Sequence, residues 1–268
     1  MRERERENKH SQFSVLAFTL IELLVVIVII GILSGMGIAQ YKSYIEKARL
    51  AKAQAAAAQF KRQALAANAS MNDKLFTAWY TFDNDLAKNG VIKGEIKDKS
   101  TNKIVLRCTS CPKVVPKTNT PTNTQAIEFN GPQSFEKQLP NSPTNKLTYA
   151  LWVNPKTSGE YPVFLSGSSS LYLNGDFRLT FRVNSTEQTP IYSKPLKPKH
   201  WYFIVASNDG ITSRLWMDGE LIESKKATNI ETNTNLSFSI GFNGRKGFNG
   251  SVDDVMLIPY GYDEEKFY

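Results

Sequence analysis

The chain has 268 residues, a length that allows one large domain or two modest ones. Its 33 Lys and Arg against 25 Asp and Glu leave a net charge of +8, but the bases are spread along the whole chain, so nucleic acid is not an expected partner. Only two histidines, His10 and His200, and two cysteines, Cys108 and Cys111, are present, too little for a serine–histidine–aspartate or cysteine–histidine catalytic set or for a four-ligand zinc site.

Residues 1–17 form a basic leader, with Arg2, Arg4, Arg6 and Lys9 in its first half. Residues 18–39 are apolar apart from Glu22 and are long enough for a bilayer span. The basic flank holds the leader in the cytoplasm and directs the rest of the chain outward. Glu22 does not suit a span: a carboxylate in hydrocarbon costs roughly 2.5 kcal/mol or more and demands a partner. Residues 40–73 are rich in strong helix formers, with no Pro or Gly, and continue the helix as a stalk. A helix over 18–68 would be about 75 Å long. Tyr41, Tyr44, Ile45, Ala48, Ala51, Ala55, Ala58 and Leu65 share helical spacing and predict one packing face. Its expected uses are close helix approach, aided by Gly31, Gly35 and Gly37 in the span, and packing against the chain's own head.

The order of basic leader, small Ala17, Phe18, then Glu22 within an unbroken apolar run resembles the N-terminal signal of type IV prepilins. The resemblance implies cleavage between Ala17 and Phe18 by a prepilin peptidase, where the family usually has Gly before the cut. It also implies methylation of the new Phe18 amine and retention of the span. Glu22 then becomes the fifth residue of the mature chain, which in that family pairs with the amine of Phe18 in the same or a neighbouring subunit. Such a pair relieves two desolvation costs together.

After residue 73 the sequence turns to short β-branched and aromatic runs punctuated by Gly, Asn, Asp and Pro. Leu179, Phe181 and Val183 alternate with Arg178, Thr180 and Arg182, and Leu236, Phe238, Ile240 and Phe242 alternate with small residues, each run predicting one buried face. Asp209-Gly210 and Asp218-Gly219 separate three strands and predict two hairpins. About eleven or twelve such segments point to a two-sheet antiparallel jelly roll. The expected class is therefore α+β: a long N-terminal transmembrane and stalk helix followed by an all-β sandwich over 74–268.

The ordered motifs Ala78–Asp83, Asp98–Asn102, Ala126–Gly131, Leu147–Pro155, Trp201–Ala206, Arg214–Gly219 and Gly250–Ile258 resemble the laminin-G-like, concanavalin A-like jelly roll. This head is larger than the common pilin heads. The resemblance implies a possible structural calcium held by Asp83 near the first strand and Asp253 on the last, with Asp254 and Asp98 as lesser candidates. Trp79, Trp152, Trp201 and Trp216 lie inside strand motifs and are expected in the core, while Tyr161, Tyr172 and Tyr192 are expected on loops where a ligand could reach them. No carboxylate pair has glycosidase spacing, Glu220 and Glu223 reading as solvated hairpin positions, and His200 reads as a turn residue, so no enzyme activity is expected. Cys108 and Cys111 are expected to form a small local disulfide in an oxidising exterior, with free thiols or transient redox chemistry as alternatives. The Pro-, Thr- and Asn-rich stretch 114–125 reads as an exposed loop.

Together these readings predict a type IV pilin-like subunit. It begins as an inner-membrane precursor, partners prepilin peptidase and other pilin subunits, and displays an extracellular head that meets a glycan or another surface. The alternatives are a secretion-system pseudopilin and a membrane-anchored carbohydrate-binding protein that never polymerises.

Overall fold

The computed structural model describes residues 19–70, 78–83, 87–88, 91–92, 95–108, 110–117, 120–138, 146–166, 169–183, 190–227, 237–241 and 246–263. A 51-residue helix, α1 (Leu20–Ser70), is followed by a series of strands. The chain divides into two compact units, Met1–Lys47 and Ala48–Tyr268. In the first unit, the large apolar side chains from Leu20 to Leu33 are exposed along the helix, which fits a membrane anchor or signal. The second unit takes in the part of α1 from Ala48 to Ser70 together with all the strands.

The first half of the β region runs β1 (Ala78–Tyr80), β2 (Ala87–Lys88), β3 (Val91–Ile92), β4 (Glu95–Ile96), β5 (Leu106–Arg107), β6 (Lys113–Val115), β7 (Ala126–Asn130), β8 (Phe135–Gln138) and β9 (Leu147–Pro155). It continues with β10 (Tyr161–Ser166), β11 (Ser169–Leu173), β12 (Leu179–Arg182), β13 (Ile191–Tyr192), β14 (Tyr202–Asn208), β15 (Thr212–Met217), β16 (Glu220–Lys226), β17 (Ser237–Ile240) and β18 (Asn249–Ile258). These strands form two antiparallel sheets, a jelly-roll-like sandwich. The ten-stranded sheet has the order β16-β15-β14-β9-β18-β7-β6-β3-β2, with β1 beside β18. The eight-stranded sheet runs β13-β12-β11-β10-β17-β8-β5-β4. Both predicted hairpins are present, β14 to β15 and β15 to β16. Asp218 and Gly219 both adopt positive φ, 54° and 80°, as a tight two-residue turn of the primed type requires.

Alternating residues of the two sheets meet in a central aromatic and aliphatic core. Tyr149 lies against Phe164 with ring centroids 4.4 Å apart, and Phe164 stacks on Phe238 at 5.7 Å. A second apolar layer lies on the opposite face of the ten-stranded sheet. There Ala53, Phe60 and Ala64 of α1 pack on Trp152, Phe203, Trp216 and Met256, with Trp201 and Tyr262 in the same cluster. The continuous burial of β14, and of β9 apart from Asn154, follows, since both faces of these strands are covered.

The packing face of α1 differs from the one predicted. Tyr41, Tyr44, Ile45 and Leu65 are exposed, as are Ala48, Ala51, Ala55 and Ala58. The buried stripe runs instead through Leu50, Ala53, Ala56, Ala57, Phe60, Ala64 and Ala67. In so alanine-rich a segment, small apolar residues occur on every side, and the only bulky ring in the second half of the helix, Phe60, selects the face. Close approach is enforced at one point: a Cβ added to Gly219 would sit 2.6 Å from the Ala56 Cβ.

Candidate functional site

Ala17 and Phe18 lie outside the described residues. Just after them, Thr19 and Glu22 form a reciprocal cap. The Thr19 amide and hydroxyl donate to Glu22 Oε2 at 2.9 and 2.8 Å, and the Glu22 amide donates to Thr19 Oγ1 at 3.2 Å. Glu22 thus satisfies donors that a helix start leaves unpaired, and the lone acid of the apolar run has a partner within its own chain.

Further along the helix, Arg49 fastens α1 to the sandwich. Its guanidinium donates to the Asp218 carboxylate, donates to the Trp201 carbonyl at 2.7 Å, and lies 4.4 Å from the centre of the Tyr202 ring. Asp218 is held ready by the hairpin turn, accepting the Phe203 amide at 2.9 Å. Sequence reasoning did not single out Arg49. The available signal was the one arginine among the lysines of the first stalk turns, since only a planar fork can serve a carboxylate, a carbonyl and an aromatic face together.

A cavity of about 210 Å³ lies between α1 and the ten-stranded sheet. Gln54, Ala57 and Lys61 line its helix side, with Trp152 and Phe203 from the sheet and Asp83 and Asp254 at its polar edge. Strand β18 shifts register against β9 between Asp253 and Met256, and Asp254 takes a φ of 47°. This bulge puts both aspartates on the helix side while Val252 and Val255 stay in the central core. Asp253 is fully buried. Its Oδ2 accepts the Thr122 hydroxyl at 2.5 Å and the Thr124 hydroxyl at 3.4 Å, and its Oδ1 accepts the Asp254 amide at 2.7 Å. Burial, then repulsion from Asp254, pushes the Asp253 carboxyl well above the usual carboxylate range. Burial also raises Asp254, against the opposing pull of Lys61, whose ammonium is 3.9 Å from Asp254 Oδ1 and 4.7 Å from the Trp79 ring centre.

The two acids expected to hold calcium, Asp83 and Asp253, both accept hydrogen bonds from within the chain. Calcium takes six to eight oxygens at about 2.3–2.6 Å. Among the described residues, no group of three His, Cys, Asp or Glu side chains is gathered closely enough to hold an ion. The Asp253 oxygens are occupied by hydroxyl and amide donors, and Asp83 Oδ1 accepts the Gln125 amide at 3.2 Å. Asp98 is likewise committed, accepting the amides of Trp79, Ser100 and Ile104 and the Ser100 hydroxyl.

Cys108 and Cys111 are joined by a disulfide. His200 is half-buried just after a turn, its Nδ1 2.9 Å from the Pro198 carbonyl. Glu220 pairs with Lys194 at 2.8 Å, and Glu223 accepts the Tyr192 amide at 3.0 Å while pairing with Lys225 at 2.9 Å. Trp152, Trp201 and Trp216 are buried beneath α1, with Trp79 packed against the same cluster. The tyrosines depart from expectation. Tyr172 and Tyr192 stand on β11 and β13 rather than on loops, and Tyr161 packs against the central core. The stretch 114–125 is pinned as well as loop-like, because Gln54 Nε2 donates to the Pro121 carbonyl at 2.6 Å and Thr122 reaches Asp253.

Two antiparallel sheets with these strand orders define a jelly-roll-like sandwich. The family model of the concanavalin A-like lectin/glucanases superfamily matches residues 122–262, more than half of the chain, and the chain belongs to that superfamily. Among solved structures it is similar to domain 4 of AbnA, a GH43 extracellular arabinanase from Geobacillus stearothermophilus, in complex with arabinotriose. The identity is 18%, over 72% of this chain and 96% of that one, with a TM-score of 0.54. It is also similar to the binding domain of Paraclostridial Mosquitocidal Protein 1, with 16% identity over 73% of this chain and 51% of that one and a TM-score of 0.51. The botulinum neurotoxin serotype G binding domain gives 11% identity, 72% and 49% coverage, and a TM-score of 0.53. The chain therefore spans about half of each toxin binding domain, and these likenesses are of fold. No curated protein matches the chain.

Proposed function

We propose that this chain is a type IV pilin-like surface subunit, cut between Ala17 and Phe18 by a prepilin peptidase. Its apolar helix holds it in the inner membrane and then packs with other subunits into a filament. Its lectin-like sandwich serves adhesion to a glycan rather than catalysis. The observation that carries this reading is one unbroken helix: apolar and exposed where it begins, bearing a lone acid in its first turn, and built into the sandwich where it ends. The glycan half draws support from the superfamily and from the arabinotriose-bound arabinanase domain of like fold.

A non-polymerising membrane-anchored carbohydrate-binding protein is the second reading. Its support is the Thr19 cap, which satisfies Glu22 without a neighbouring subunit. Mass analysis of the mature N-terminus in sheared surface fibres separates the two. An N-methylated Phe18 in fibres, with assembly lost in Glu22→Ala, is the expected result. Retention of Met1, or fibres unchanged by Glu22→Ala, would overturn the pilin mechanism and leave the anchored protein.

A further inference from the structure

On β12, Leu179 and Phe181 point into the central core, so Arg178, Thr180 and Arg182 share the outer face of the eight-stranded sheet. Register fixes their neighbours. Thr180 lies between Tyr172 of β11 and Tyr192 of β13, and Arg182 is opposite Ser170. Tyr192 is 39% exposed, Tyr172 is half-buried, and both arginines are exposed. Strand geometry separates the two arginine Cα atoms by about 13 Å, and the two tyrosine-bearing strands by about 10 Å.

Charge along this face is uneven. Toward its far edge, Arg107 pairs with Glu95 at 2.9 Å and lies opposite Glu136, so that region is balanced. Around β11 to β13, the described acids are Asp176, in the turn before β12, Glu160, and Glu220 and Glu223, which pair with Lys194 and Lys225. Lys246 already pairs with Glu160 at 3.0 Å and, with a smaller contribution from Arg182, holds its carboxyl below the usual range. With Glu160, Glu220 and Glu223 each paired to a lysine, Arg178 and Arg182 leave the described part of the β11 to β13 region basic, with aromatic rings on both sides. The outer face of the ten-stranded sheet packs against α1, whereas on this face Thr180 and Ser170 are buried while Arg178, Arg182 and Tyr192 reach solvent.

We propose that Arg178 and Arg182, flanked by Tyr172 and Tyr192, bind an acidic glycan chain, one whose sugars carry carboxylate or sulfate groups. This rests on the reading of the head as glycan-binding and names its site and ligand class. The tyrosine rings present apolar faces to sugar C–H groups and hydroxyls to their rims. The guanidinium forks take the acid groups in two-pronged charge-assisted hydrogen bonds.

The test is titration of the full chain in detergent with polygalacturonate, heparin, neutral arabinan and, as a polyanion without sugars, polyglutamate. The wild type should bind polygalacturonate or heparin, whichever binds showing the acid group recognised. Arg178→Gln or Arg182→Gln should each weaken that binding by about tenfold or more, and Tyr192→Ala by about fivefold, at an unchanged melting temperature. Equal binding of polyglutamate would overturn the proposal, leaving a basic patch. So would binding that is indifferent to all three variants, or binding of arabinan alone; in these last two cases the glycan-binding reading survives. If none of the sugars binds, that reading falls and the proposal with it.

Discussion

Replacing Arg49 with alanine should destabilise the sandwich by about 3 kcal/mol. The substitution removes a charge-assisted hydrogen bond to Asp218, a bond to the Trp201 carbonyl and a contact with the Tyr202 ring. A hydrogen bond to a charged group contributes about 1.5–3 kcal/mol, and a cation over an aromatic ring at least about 0.5–1 kcal/mol. The side chains of Arg49 and Asp218 are 24% and 10% exposed, so solvent screening keeps the ion pair near the lower end of its range. Asp218 also keeps the Phe203 amide, which holds the total at the low end of the about 3–5 kcal/mol typical of a buried pair broken on one side. Arg49→Lys should recover less than half of the loss, because one ammonium cannot serve Asp218, Trp201 and the Tyr202 face together. The assay is urea unfolding of the detergent-solubilised chain, followed by tryptophan fluorescence, since Trp152, Trp201 and Trp216 lie beneath the helix. A loss below about 1 kcal/mol for Arg49→Ala, wild-type stability in Arg49→Lys, or simple additivity between Arg49→Ala and Asp218→Asn would refute the latch.

Phe60→Ala should cost about 3–5 kcal/mol in the same assay, because Phe60 meets Tyr262 at 4.9 Å and borders a cavity of about 50 Å³ that the truncation would enlarge. The Asp253 and Asp254 carboxyls are raised on folding, so their contribution is fully present below the unfolded aspartate value of about 3.9 and is lost as pH rises through their folded values. Asp253→Asn should therefore flatten the fall in melting temperature with rising pH and raise it at pH 8; an unchanged pH profile would count against this. A truncation beginning at residue 74 should aggregate, while one beginning at Ala48 stays monomeric by size-exclusion chromatography, because only the latter keeps the layer over Trp152 and Phe203.

Much of the sandwich was legible because its signals are local. Asp209-Gly210 and Asp218-Gly219 mark turns by backbone chemistry, and the Leu179, Phe181 alternation marks a strand with one core face. Strands β2, β3, β4, β5 and β13 are two residues each, too short to leave a periodic trace, so the sheets hold more strands than the sequence suggests. The helix face was misread because alanines on all sides give periodicity little to choose between. A clue lay in the partner strands: Leu147–Val153 and Trp201–Ala206 are apolar almost without alternation, which predicts cover on both faces and hence a third layer. The site residues were harder. Asp83 and Asp253 drew attention as acids, but the hydroxyls of Thr122 and Thr124 that occupy Asp253 come from a loop far away in sequence. The outward line of Arg178, Thr180 and Arg182 could be read from alternation, whereas its tyrosine neighbours depend on strand register.

Because α1 forms a layer of the fold beyond Ala48, a mechanical pull along the helix does not fall on a single peptide link after Ser70. It is shared by the Arg49 clamp, the Gln54 contact with Pro121 and the Phe60 ring seated among Phe203 and Tyr262. Load on this part of the helix is thus carried by the fold itself, through contacts on several strands.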